Sequence, residues 1–252
     1  PELADKVSTF STRVLKKDCL DLPEKTYTSR HVSLSPEQVR AYSDMKRNAL
    51  LILEDGMITA QEAMTQLLRL QQILCGYVPI DDEGNFYEIP SRRIDALLEV
   101  LDEMSGKVII WARFRRDIEK IVEALQKAYG DKSVGSYYGS TSDEDREALV
   151  VNFQDPDHET RFFVGNPQTA GYGLTLTAAH NVVYYSNDFN LETRVQSEDR
   201  CHRIGQTKAV TYVDLISEGT VDEHIVRALQ NKIKLAGASL GEDMRQWLKV
   251  GK

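Results

Sequence analysis

The sequence predicts an α/β fold, a parallel sheet with helices on both faces, preceded by an N-terminal helical protrusion. Three observations predict it. Lys107 to Ala112 (K-V-I-I-W-A) is a short, nearly all-apolar run, as buried parallel strands require. From Ser91 onward, apolar positions at helical spacing alternate with further short apolar runs. Before Ser91, two cap signatures open helices of their own.

In chain order, residues 1–33 mix charge with Pro23 and carry no long periodicity, so a connecting segment is expected. Residues 34–90 are expected to form the protrusion and a loop. Ser35-Pro36-Glu37-Gln38 sets a cap, a proline in the first turn and Gln at the capping-box position. Thr59-Ala60-Gln61-Glu62 is a second start, and Leu67, Leu70 and Leu74 continue it to Gly76. Pro79, Asp81, Asp82, Gly84 and Pro90 give 77–90 loop chemistry. The main lobe is expected over 91–235. Ile94, Leu97, Leu98 and Leu101 mark one helix face, and Ile118, Ile121, Val122 and Leu125 the next. Strands are expected at 134–138, 161–165, 181–186 and 209–216, with helices around 142–153 and 191–204. Thr220 caps a helix to about 235, and a helical tail is expected over 236–252. Ligands of such a sheet sit beyond the carboxyl ends of its strands.

Composition narrows the function classes. A chain of 252 residues, 41% hydrophobic and 28% charged, can bury a full core. The formal charge of −8 argues against general coating of a polyanion but leaves room for a local basic groove. Cys19, Cys75 and Cys201 are odd in number and scattered, against a disulfide framework or zinc site, and a reducing cytoplasmic or nuclear setting is expected. No apolar stretch approaches the roughly 18 residues of a membrane span, so no membrane partner is expected. The chain opens on Pro1 and reads as a piece of a longer protein.

The run Gln196-Ser197-Glu198-Asp199-Arg200-Cys201-His202-Arg203-Ile204-Gly205-Gln206 carries the most information. Wound as a helix, it puts Gln196, Arg200 and Arg203 within an arc of roughly 60°. Guanidinium forks match phosphate oxygens and stabilise charge that develops in phosphoryl transfer. Spacing alone equally suits a solvated helix with Arg194/Glu198 and Asp199/Arg203 ion pairs. The wording decides: Q-x-x-D-R-x-H-R-I-G-Q closely resembles motif VI of the Swi/Snf-type DNA-translocating ATPases of helicase superfamily two. The resemblance implies a RecA-like second lobe in which Arg200 and Arg203 are arginine fingers and Gln196 lies at the nucleotide.

Other segments are similar to the same family. Asn166 to Ala179, with Ala170-Gly171-Tyr172-Gly173-Leu174-Thr175-Leu176, resembles motif V, implying that Gly171 and Gly173 line the ATP side and that Thr169 and Thr175 face the cleft or DNA. The family usually has Asn at the position of Thr175. Tyr185 to Leu191 resembles a D-x-D-W-N-P segment with Ser186, Phe189 and Leu191 as departures; Phe189 suits a DNA contact or a core position equally. Trp111-Ala112-Arg113-Phe114-Arg115-Arg116 resembles motif IV, so Arg113 and Phe114 are expected at the DNA backbone and Arg115 and Arg116 as solvated helix-start charges. Tyr138-Gly139-Ser140-Thr141 with Arg146 resembles a Y-x-G-S-T…R block, which gives Gly139, Ser140 and Thr141 a backbone role, although Thr141 or Ser142 also suits a helix cap. Weaker likeness extends to Arg13–Asp18 and Leu22–Lys25. Asp222-Glu223-His224 imitates a Mg²⁺-binding signature but opens a capped helix, so no metal site is expected in this chain.

No G-x-x-x-x-G-K-[ST] loop occurs. The resemblance therefore implies the second motor lobe of a double-stranded-DNA translocase, inactive alone, using ATP with Mg²⁺ ligands on an absent first RecA-like lobe. Two other readings stay open: a non-catalytic lobe that recruits proteins through residues 35–76, and a superfamily-two enzyme acting on RNA.

Overall fold

The computed structural model describes residues 19–54, 60–80, 85–139, 141–170 and 173–239. The expected positions Gly171 and Ser140, the Thr59 cap, the Arg13–Asp18 segment and the tail from 240 lie outside them.

Six parallel strands form the main sheet: β1 (Lys25–His31), β4 (Lys107–Trp111), β5 (Val134–Tyr137), β6 (Phe162–Gly165), β7 (Ala179–Tyr184) and β8 (Val210–Ile216). Their order is β1-β8-β7-β4-β6-β5. The helices are α1 (Pro36–Glu54), α2 (Ala60–Leu74), α3 (Arg93–Asp102), α4 (Arg115–Tyr129), α5 (Asp143–Gln154), α6 (Leu191–Glu198) and α7 (Val221–Ser239). Period-two alternation splits the core between the faces. Val108, Ile110, Phe162, Val164 and Val183 meet Leu97, Leu101, Ile118 and Ile121 of α3 and α4. Ile109, Trp111, Phe163, Val182 and Tyr184 meet Leu149 and Phe153 of α5, with Leu176 and Cys201. Each such side chain, fully buried, contributes about 1.5–3 kcal/mol.

Three elements differ from the sequence reading. The 1–33 connector contributes β1, which pairs with β8 from Lys25↔Val210 to His31↔Ile216. Its alternation is weak because an edge strand buries little of its outer surface. The expected loop at 77–90 instead holds an antiparallel pair, β2 (Tyr77–Pro79) and β3 (Phe86–Glu88). Tyr77 and Phe86 meet edge to face at 5.3 Å, an aromatic contact that outweighs the turn-forming composition. The helix expected over 191–204 stops at Glu198 and continues as turns. There the Gln196 carbonyl accepts Arg200 Nε at 2.9 Å, while the Arg200 amide turns to Ser197 O. A side chain has taken the place of the next helical rung.

The capping box forms as expected: Ser35 Oγ accepts the Gln38 amide and Gln38 Oε1 accepts the Ser35 amide. Gln38 Nε2 then donates to the carbonyls of Ile73 and Leu74, so the start of α1 also satisfies the end of α2. Tyr42, Leu70, Ile73 and Leu74 pack on Val221, Ile225 and Leu229 of α7, seating the two-helix unit on the last helix.

Candidate functional site

The site grows out of the carboxyl end of β6. Asn166 opens the following loop with a side-chain turn: its Oδ1 accepts the amides of Gln168 and Thr169 at 2.8 and 3.3 Å. Its Nδ2 donates to Arg113 O at 2.6 Å, tying this loop to the end of β4. Gly173 has φ +80°, and a Cβ there would meet nothing within 4 Å, so glycine is needed for the backbone angle and not for room.

Beyond Gly173 the loop is stitched to the arginine run. The Leu174 carbonyl accepts Arg203 NH1 at 3.1 Å and Arg200 NH1 at 3.4 Å. Leu176 N donates to Arg200 O at 2.9 Å. Gln206 Nε2 closes the far side on the carbonyls of Thr177, Ala179 and Cys201. Two guanidiniums are thus held side by side on one carbonyl. Both are half-buried, and among the described residues neither forms an ion pair. Burial pushes the Arg200 pKa down, and the neighbouring Arg203 charge pushes it further, although Asp199 partly opposes this. Paired cations with no carboxylate bound to them, half open to solvent, suit an anion with several oxygens. Gln196 stands beside them, its Nε2 on Glu192 Oε1 at 2.9 Å.

The expected DNA-side residues lie at the carboxyl ends of β4, β5 and β6. Gly139 is exposed with open space around it. Thr141 Oγ1 accepts Tyr138 N and donates to Ser136 O, and Ser142 supplies the α5 cap. Thr169 is exposed and Thr175 half-buried. Arg113 is engaged inward: NH1 donates to Gln71 Oε1 at 2.7 Å, and NH2 lies 3.6 Å from Asp188 Oδ2. Burial lowers its pKa and Asp188 partly opposes the shift. Phe114 packs against the core and meets Tyr77 edge to face. Arg115 and Arg116 pair with Glu119 and Glu88 on the surface. Phe189 packs against the cluster formed by α2 and α7.

Sequence reasoning did not single out Arg93, and it gave Arg194 only a surface pairing with Glu198. Arg93, fully buried, donates to the carbonyls of Tyr185 and Leu215 and to Asp222 Oδ2 at 2.7 Å. Asp222 is thereby committed to an ion pair, and among the described residues no three metal-ligating side chains gather. Arg194 lies 3.5 Å over the Tyr184 ring and binds Asp214, Asn187 and Glu198. Periodicity does not mark such residues, because a buried guanidinium and a solvated one have the same sequence signature. Also among the described residues, no helix is long and apolar enough to cross a membrane.

Comparison with known proteins extends this geometry. Residues 92–205 match the helicase conserved C-terminal domain. The chain is 30% identical over 247 residues to the chromatin structure-remodeling complex subunit snf21 of Schizosaccharomyces pombe, covering 90% of this chain and 20% of that protein. It is 27% identical over 242 residues to the putative ATP-dependent helicase/translocase YwqA of Bacillus subtilis, covering 92% of this chain and 26% of that protein. The chain therefore spans about a fifth to a quarter of the length of these relatives. Among solved structures, the Sulfolobus solfataricus SWI2/SNF2 ATPase core in complex with dsDNA superposes with a TM-score of 0.65 at 27% identity, covering 100% of this chain and 56% of that one. The C-terminal part of the Fun30 ATPase domain shares the fold, with a TM-score of 0.67 at 21% identity over 82% of this chain and 90% of that one.

Proposed function

The chain belongs to the C-terminal lobes of the Swi/Snf-type ATPases of helicase superfamily two, and from that premise we propose that it is the finger-bearing half of an ATP-driven motor on double-stranded DNA. The observation that carries the reading is the pair Arg200 and Arg203, held together on the Leu174 carbonyl without a carboxylate ion pair among the described residues. In this reading they bind the transferring phosphoryl group and stabilise its charge in the transition state. Gln196, Gly171 and Gly173 border the nucleotide. A phosphate loop and the Mg²⁺ ligands come from a first RecA-like lobe, since neither motif occurs among these 252 residues.

DNA is engaged through backbone phosphates, without sequence reading. Gly139, Ser140 and Thr141, ahead of α5 in the chain, hold the backbone of one strand, with Thr169 and Thr175 on the loop joined to the arginines. Arg113 and Phe114 contribute by holding the strand end, and Arg113 reaches a phosphate only by leaving Gln71 and Asp188. Residues 34–90 act as a protrusion on the 91–235 lobe.

The test is ATP turnover by the 252-residue chain alone and with the first lobe restored, with duplex DNA or duplex RNA added. The expected outcome is negligible turnover alone and DNA-stimulated turnover in the two-lobed protein. Turnover indifferent to DNA, or stimulated only by RNA, refutes the reading. A second reading, protein recruitment by residues 35–76, draws support from exposed Val39 and Met64. Binding that is insensitive to salt would favour it, because phosphate contacts weaken steeply as salt rises.

A further inference from the structure

The finger reading leaves open why the incoming chain is laid against the arginine run. Three alternate residues touch it. His202 Nε2 donates to Pro23 O at 2.8 Å, and Lys25 Nζ and Tyr27 Oη donate to Glu198 Oε2 at 3.0 and 2.7 Å. Residues two apart share one face of an extended chain, so a single face of 23–27 reaches both partners. Glu198 and His202 stand two positions before and two after Arg200, and Arg203 follows His202 directly. The grip is buried, with Glu198 only 1% exposed. It is also doubled at the backbone: Tyr27 stacks on Tyr212 at 5.1 Å, and Tyr212 Oη donates to Glu198 O at 3.2 Å.

Glu198 is oddly placed for a stabilising residue. It ends α6, where the helix dipole disfavours a negative charge, and it is out of water. Burial raises its pKa, but Lys25 and Arg194 outweigh burial and hold the carboxyl below its ordinary value. An ionised group sits where the helix dipole disfavours it, kept there by Arg194 one turn earlier and by Lys25 from β1.

We propose that Pro23–Tyr27 is a clasp that positions the arginine run, so that the path of the chain entering β1 sets where Arg200 and Arg203 stand relative to the phosphate they serve. This rests on the finger reading. Glu198, His202, Lys25 and Tyr27 are positioning residues, reaching the phosphate only through the arginines.

The experiment measures kcat, KM for ATP and melting temperature in the two-lobed enzyme for Tyr27→Phe, Glu198→Gln, Lys25→Arg and Arg203→Ala. Small misplacement of a reacting group is costly, so Glu198→Gln is expected to lower kcat about tenfold with KM nearly unchanged, Tyr27→Phe to lower it less, and Lys25→Arg to preserve it. Wild-type kcat in both Glu198→Gln and Tyr27→Phe, with Arg203→Ala impaired, overturns the clasp and leaves the fingers standing. Wild-type kcat in Arg203→Ala overturns the fingers and the clasp with them. Should Glu198→Gln fail to fold, Tyr27→Phe removes one hydroxyl, and the Arg200 Nε–H is followed by NMR in the 252-residue chain. Faster exchange of that proton supports the clasp; an unchanged signal overturns it.

Discussion

Arg93 and Arg194 differ from Arg200 and Arg203 in one respect that separates architecture from chemistry. The first two are buried and each is bound to a carboxylate, Asp222 and Asp214, with carbonyl or amide oxygens taking further N–H groups. The second two share a carbonyl, repel one another and have no ion pair among the described residues. A satisfied guanidinium has nothing left to offer a ligand. An unsatisfied pair is a standing site for one. What Arg200 and Arg203 lack in partners is what supports the role proposed for them.

The strongest way to break it is Arg203→Ala in the two-lobed protein. Turnover is expected to fall by about 10³–10⁵, the range for loss of an arginine finger. The thermal midpoint should stay close to wild type, because no buried carboxylate is stranded. The converse change is Arg93→Ala. It leaves Asp222 buried without its partner, a loss of about 3–5 kcal/mol when a buried pair is broken on one side. Urea unfolding should show the loss directly. If Arg203→Ala destabilised the lobe and Arg93→Ala did not, the division would be inverted.

Much of this was legible in the sequence, and the limits have physical causes. The strand at 107–111 stood out because a strand covered on both faces is apolar at nearly every position. The Ser35 box was legible because its bonds are local. β1 was not, since its partner β8 is distant in sequence and an edge strand need not alternate. At the site, spacing put Gln196, Arg200 and Arg203 on one helical face, whereas the structure brings them together through a turn and the Leu174 carbonyl. Arg93 and Glu198 stayed hidden because their importance lies in long-range partners, which periodicity does not encode.

The same comparison extends to carboxylates. Asp214 and Asp222 have guanidiniums, but Asp117, fully buried, has none within ion-pair distance among the described residues; it accepts Ser186 Oγ at 3.0 Å, and its Oδ1 lacks a well-aligned hydrogen bond. Burial pushes its pKa up to about 6, only partly offset by the Cys75 thiol, Arg93 and Ser186. A carboxyl with a raised folded pKa favours the fold when protonated, and that contribution is lost as pH rises from the unfolded value near 4 through about 6. Asp117→Asn is therefore expected to stabilise the lobe at pH 8 by about 1–3 kcal/mol, the gain shrinking toward zero near pH 4. Urea midpoints across that range check it. A gain independent of pH would mean that packing, and not charge, sets the cost.

The smallest effect tests the loop that holds Arg200 and Arg203. Gly173 adopts φ +80° with no atom within 4 Å of a Cβ position, so Gly173→Ala meets no clash and the cost is confined to the backbone. That cost is about 1–2 kcal/mol for a side chain in left-handed space. If the loop merely linked β6 to β7, it would relax into another shape and the variant would look nearly wild type in both unfolding and turnover. The Leu174 carbonyl one residue later, however, is the shared acceptor for Arg200 and Arg203. Any relaxation that rotates it moves both guanidiniums. Turnover in the two-lobed protein is accordingly expected to fall by more than the roughly tenfold that about 1.4 kcal/mol would account for, while the unfolding midpoint falls only by what the backbone cost dictates. Turnover close to wild type would show that the carbonyl only supports the loop, and that the arginines find their place without it.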